Sequence, residues 1–312
     1  MQIVKDFKWE KGIKAEHLLD RLGSVGFQSI ELRKAMETII KMKKNGAKIF
    51  LTFTSNMVTS GLRGFFAQLV KLKIPSVIVT TAGAVEEDIM KAKGENFVIG
   101  DFFSDDVELY EKGINRVGNL FIKNESYCRF EDAIKPMLKN IYEKKKRWPI
   151  SGMLKELGLM LDDEDSILCQ AARNNIPIFC PAITDGAFGF HLFMFQQDND
   201  DFVVDVVKDF ANILFSVSQD DKKGIISLGG SVSKHHAILA GLLNGGMDYA
   251  VYLTTARHSS GSMSGATTNE AKSWGKVKDD SDVVTVIGDV TITFPLIMSG
   301  VLEKLGREGL LQ

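Results

Sequence analysis

The chain has 312 residues, 45% of them hydrophobic and 25% charged, with a net charge of −2, the make-up of an ordinary soluble globular protein. That near-neutral balance excludes the basic excess of a nucleic-acid footprint, and no stretch is apolar for long enough to span a bilayer. The three cysteines (Cys128, Cys169 and Cys180) are scattered and odd in number, so no disulfide framework is expected. With no signal-peptide core in Met1–Lys8, they point to a reducing, cytoplasmic setting. No CxxC or HExxH pattern occurs, and no metal site is expected.

In chain order, short continuous apolar runs alternate with helical patterns. Lys48–Phe53, Ser76–Thr80, Ile176–Cys180, Gly224–Leu228, Tyr249–Leu253 and Val283–Ile287 read as strands buried on both faces. The region 123–170 is richer in charge and reads as an outer layer. Phe202–Phe215 gives the cleanest helical pattern, with Asp200 or Asp201 as its N-cap. This alternation predicts an α/β fold, a Rossmann-like, largely parallel sheet with helices on both faces. Without repeats or a low-complexity linker, 1–312 reads as a single domain.

Open α/β sheets bind ligands beyond the carboxyl ends of their strands. Small residues, hydroxyls and single acids recur there: Thr54-Ser55-Asn56, Thr81-Ala82-Gly83, Thr184-Asp185-Gly186, Gly229-Gly230-Ser231, Thr254-Thr255-Ala256 and Gly288-Asp289. Backbone amides and hydroxyls suit phosphates and carboxylates suit ribose, the make-up of a dinucleotide pocket. The G-x-G-x-x-G fingerprint is absent, and turns favour the same residues for geometric reasons alone.

The segment 269–276, Asn-Glu-Ala-Lys-Ser-Trp-Gly-Lys, carries the sharpest chemistry. Thr267 and Glu270 read as a capping box, and Glu270 and Trp274, four apart, share a helical face. Gly275 allows the chain to turn before Lys276. A carboxylate and an indole hold a cationic amine by charge and cation–π attraction, with a lysine beside them as nucleophile. The bland alternatives are a plain cap for Glu270, a solvated Lys276, and a helix-start feature for the adjacent His235 and His236. Likewise, 143–147 reads as a solvated helix end, Asp162–Asp165 as a loop and helix start, and Cys128 and Cys180 as packing residues.

Taken in order, these motifs closely resemble the deoxyhypusine synthase family. They are Thr54-Ser55-Asn56…Ser60-Gly61, Thr80-Thr81-Ala82-Gly83…Glu86-Glu87-Asp88, 113–119 (GINRVGN), Asn124-Glu125…Tyr127-Cys128, 181–186 (PAITDG), Lys234-His235-His236, 248–252 (DYAVY) and Ser273-Trp274-Gly275-Lys276. The resemblance runs from about residue 4 to about residue 305. It implies an NAD-dependent aminobutyltransferase, working as a homotetramer with active sites at subunit interfaces. Such an enzyme moves the aminobutyl group of spermidine, through an enzyme lysine imine, to a lysine of the hypusine-containing translation factor precursor.

By the same resemblance Lys276 is the covalent nucleophile, and His235 lines the amine site and shuttles a proton. Glu86, Glu87, Gly261, Ser262, Glu270 and Trp274 fall at substrate positions. Ser55, Asn56, Thr59, Thr81, Ala82, Gly83, Glu87, Asp185, Thr255, Ala256 and Asp289 fall at cofactor positions. Phe190 and Met263 stand where familiar members carry acids that hold the polyamine. Loss of a charge-assisted contact costs about 1.5–3 kcal/mol. The resemblance therefore leaves open a different small amine, such as a diamine or agmatine, a homospermidine-synthase-like activity, or a non-catalytic member of a mixed tetramer.

Overall fold

Apolar runs with no alternation have no face to give to water, and they fold here into the parallel sheet that carries the candidate lysine. The protein's structure is a computed structural model that describes residues 3–311. The chain gathers in two compact units. One holds residues 3–53, 72–79 and 213–311, the other 54–71 and 80–212.

The first unit contains the strands Lys48–Thr52, Val77–Val79, Lys223–Leu228, Met247–Thr254 and Val277–Ile287. From one edge, Val277–Ile287 lies beside Met247–Thr254, then Lys223–Leu228, Lys48–Thr52 and Val77–Val79, and every pairing is parallel. This is the largely parallel α/β sheet, flanked by helices, that the sequence predicts. Parallel neighbours need a crossover. Helix Ser231–Leu243 makes the one from Lys223–Leu228 to Met247–Thr254, and the short helix Thr268–Ser273 lies in the next. Register sets Leu253 beside Leu228 and Thr254 beside Ile287, so these three strands end level. Helices Ala15–Leu22, Gln28–Lys44 and Val290–Arg307 pack together at Gly300, where an added Cβ would lie 2.7 Å from Leu19 and 2.8 Å from the Met36 sulfur.

The second unit is mostly helical. It includes Asn56–Thr59, Ala82–Ala92, Asn124–Lys144 and Ala187–Asp198, with a three-stranded antiparallel sheet of Val98–Ile99, Leu120–Lys123 and Ile114–Val117. A buried ion pair organises its core. Asp88, 1% exposed, accepts from Arg63 Nε at 2.5 Å, the Ser166 hydroxyl at 2.9 Å and the backbone N–H groups of Ile167 at 3.2 Å and Leu168 at 2.8 Å, beside the start of helix Ile167–Arg173, whose cap is Ser166. A carboxylate so buried persists because each lone pair has a donor.

Some elements differ from expectation. Val77–Val79 and Ile178–Phe179 are shorter than the apolar runs that contain them, while Met247–Thr254 and Val277–Ile287 extend further. The Phe202–Phe215 pattern divides, because Val203–Val204 pairs with Arg147–Trp148 and the helix is Val206–Leu214. Its cap is Asp205, which accepts the Lys208 N–H at 2.8 Å; Asp201 instead accepts the Tyr142 hydroxyl at 2.6 Å. Cys180 is buried as expected of a packing residue, but Cys128 is exposed on helix Asn124–Lys144.

Candidate active site

Local hydrogen bonding places Lys276. Thr267 Oγ1 accepts the Glu270 N–H at 3.2 Å and starts helix Thr268–Ser273. The helix ends in a Schellman turn: Gly275 N–H donates to Lys272 O at 2.8 Å and Lys276 N–H to Ala271 O at 3.0 Å. That turn needs Gly275 at φ +68°, a left-handed conformation glycine adopts without strain. Lys276 thus leaves the helix end reversed and enters the strand Val277–Ile287, its side chain 8% exposed and Nζ 4.8 Å from the Trp274 ring centroid. The solvated-lysine alternative is excluded.

Lys276, Trp274, Glu270 and His235 line one cavity of about 230 Å3 in the first unit. The capping position does not exhaust Glu270, since its N–H serves the cap while its side chain lines this wall. His235 arrives from helix Ser231–Leu243. Burial and the neighbouring Lys276 charge hold its imidazole below the ordinary histidine pKa, which favours the neutral ring, a proton acceptor. Burial pushes His236, the next residue, down to about 4.

Two further residues of the cavity stand in motifs quoted from the sequence but were given no role there. Lys234 is 1% exposed, and its ammonium donates to Met263 O at 3.0 Å and Ala266 O at 2.9 Å while lying 3.8 Å from the Tyr252 ring centroid. Burial pushes its pKa down to about 8, opposed by Glu270 and assisted by Lys276. The Tyr252 hydroxyl is buried and, among the described residues, has no hydrogen-bond partner. A buried orphan hydroxyl on a cavity wall fits a polar ligand or an ordered water. The available signals were the adjacency of Lys234 to His235 and a tyrosine two residues before a polar strand end.

Met263 also lines this cavity, whereas Gly261 and Ser262 occupy the exposed loop just before it, with Gly261 at φ +66°. Phe190 is exposed in the second unit, on helix Ala187–Asp198 against Phe193 and His191. Thr255, Ala256 and Asp289 follow the level strand ends of the first unit. Ala256 N–H donates to Thr254 Oγ1 at 3.0 Å, and Asp289 caps helix Val290–Arg307 through Oδ1, 2.7 Å from the Thr291 nitrogen.

The second unit gathers most of its predicted residues in one place. Thr81 spends its hydroxyl on the Ser55 N–H at 3.1 Å, which leaves the start of helix Ala82–Ala92 without a side-chain cap. Gly83 faces Ser55 so closely that a Cβ there would sit 2.7 Å from the serine Cβ. Glu86 accepts the Phe188 N–H at 2.8 Å, and burial raises its pKa. Glu87 accepts the Thr59 hydroxyl at 2.6 Å, and burial raises it to about 7 against that bond and the attraction of Lys91. Ala82 is buried beside Gly186, and Asp185, the residue before, is exposed. Asn56 is exposed and turned to Thr54, 2.5 Å from its hydroxyl. Among the described residues no group of acids, histidines and cysteines has the arrangement of a metal site.

These features define a parallel α/β protein with a lysine-centred cavity. The chain belongs to the deoxyhypusine synthase family, whose model matches residues 17–301. It is 41% identical to a "Probable deoxyhypusine synthase" of Schizosaccharomyces pombe over 94% of this chain and 88% of the relative. It is 38% identical to another from Thermoplasma acidophilum, over 95% of this chain and 96% of the relative. A crystal structure from Entamoeba histolytica, of a protein assigned as a deoxyhypusine synthase, matches with a TM-score of 0.69 at 32% identity, covering 95% and 96% of the two chains. The family is one of transferases.

Proposed function

We propose that this protein is an NAD-dependent aminobutyltransferase that forms deoxyhypusine on a lysine of the hypusine-containing translation factor precursor, with spermidine as donor. The observation that carries the reading is the enclosure of Lys276 in one cavity with His235, Glu270 and Trp274. NAD supplies a hydride acceptor for the donor amine and, as NADH, a hydride source for the last step. In the second unit an uncapped helix start with Ser55, Thr81, Ala82 and Gly83 suits phosphate, and the family resemblance adds Asp185, Thr255, Ala256 and Asp289 as cofactor positions. Asn56, Thr59 and Glu87 complete the cofactor assignment.

The chain's own residues do the rest. Glu270 and Trp274 hold the amine by charge and cation–π attraction. Glu86, Glu87, Gly261 and Ser262 are assigned to the same substrate. The Lys276 amine adds to the oxidised donor carbon, the remaining diamine leaves, and His235 takes a proton from the attacking nitrogen. Burial of Lys276 keeps water from the resulting imine. The acceptor lysine then displaces Lys276, which leaves as the free amine. We place the active enzyme as a homotetramer acting in the cytoplasm.

Incubation with labelled spermidine, NAD and either the factor precursor or putrescine tests this. Label in the precursor protein is expected. Label only in small polyamines means a homospermidine-type activity. The apolar Met263 wall favours a second reading at the level of the donor, a diamine or agmatine in place of spermidine. Competition among the three amines in the same assay decides between them.

A further inference from the structure

Between helices Ala82–Ala92 and Asn124–Lys144 lies a segment that the reading above does not use. Its three-stranded sheet and the helix Asp106–Glu111 are tied together by Arg116, whose guanidinium reaches Asp106 Oδ1 at 2.5 Å and Oδ2 at 2.6 Å, Gly118 O at 2.9 Å and Phe102 O at 3.4 Å. This frame holds apolar side chains outward: Phe103 is 96% exposed and Tyr110 83%, with Ile99, Phe102 and Val107 exposed beside them. A surface of this kind, built and yet uncovered, marks an interaction site.

Its charge says what covers it. From Ile99 to Glu111, the stretch that carries these apolar groups, Asp101, Asp105, Asp106, Glu108 and Glu111 are interleaved with them and there is no base. Lys112 and Arg116, which follow, are already paired, with Glu108 and Asp106. In a two-fold contact between copies the patch would meet itself, acid against acid, and the cores of such interfaces are depleted in charge. The complementary partner brings positive charge around apolar anchors.

We propose that this face docks the lysine-bearing protein acceptor, through a basic surface of that protein; the inference rests on the protein-lysine transfer reading above. The test compares the full-length enzyme with a Phe103→Ser/Tyr110→Ser double variant and with Glu111→Lys. It measures KM for the precursor protein, borohydride-trapped amine on Lys276, and assembly mass by sedimentation. The docking surface predicts at least a tenfold rise in KM for the protein in the double variant. Trapping and mass should be unchanged, and Glu111→Lys should flatten the salt dependence of KM. An unchanged KM overturns the proposal, as does an altered mass, which would make this a contact between copies. If the unmodified enzyme traps amine yet transfers it to no protein lysine, the function reading fails instead. Direct binding of the labelled precursor then tests the surface alone, and equal affinity for enzyme and variant overturns it.

Discussion

At the scale of single residues, the site is defined as much by its buried lysine and tyrosine as by the predicted nucleophile. An orphaned buried hydroxyl costs about 1–3 kcal/mol. Tyr252→Phe should therefore raise the melting temperature of the ligand-free protein while weakening amine binding several-fold. A titration of amine against both proteins checks this, and equal affinity would show that the hydroxyl serves water alone. Glu87 gives a pH signature with a definite sign. Its folded pKa of about 7 lies above the ordinary 4.5, so the folded state holds the extra proton between those values. Stability from this group is present below pH 4.5 and is lost as pH rises through 7. Relative to Glu87→Gln, the unmodified protein should lose no more than about 3 kcal/mol between pH 4.5 and 8, measured by urea unfolding. A gain in that window would contradict the assignment.

At the scale of elements, the turn after helix Thr268–Ser273 decides where Lys276 stands. The cluster was legible because its parts are local: a capping threonine, an i,i+4 pair of Glu270 and Trp274, and a glycine before the lysine. Gly275→Ala meets no steric wall, its nearest neighbour being Leu242 at 3.4 Å, so its cost is the left-handed φ alone, about 1–2 kcal/mol. We expect that loss in thermal unfolding together with reduced amine trapping, because relief of the strain shifts Lys276. Elements that depend on partners far along the chain were less legible. Periodicity joined Val203–Val204 to the helix that follows, and only pairing with Arg147–Trp148 separates them. Ile176–Cys180 reads as five residues of strand and forms two, Ile178–Phe179; Pro177 has no N–H to give a ladder.

At the scale of the molecule, the sheet was legible because unbroken apolar runs admit few other arrangements. The interleaving of the two units, with boundaries at 54, 72, 80 and 213, carries no glycine- or proline-rich linker to read. Cavity membership is equally non-local. Lys234 and Met263 are 29 residues apart, and sequence gives no reason to join them until the ammonium is seen on the Met263 carbonyl. Lys276, on the same cavity, is the subject of the central proposal, that it is a covalent amine carrier. The direct measurement is mass-mapped borohydride trapping with NAD and labelled spermidine on the unmodified protein and on Lys276→Ala. The account predicts one labelled peptide, containing Lys276, in the first and none in the second, with NAD binding nearly unchanged. Label on any other lysine, or a variant that traps as well as the original, would contradict it.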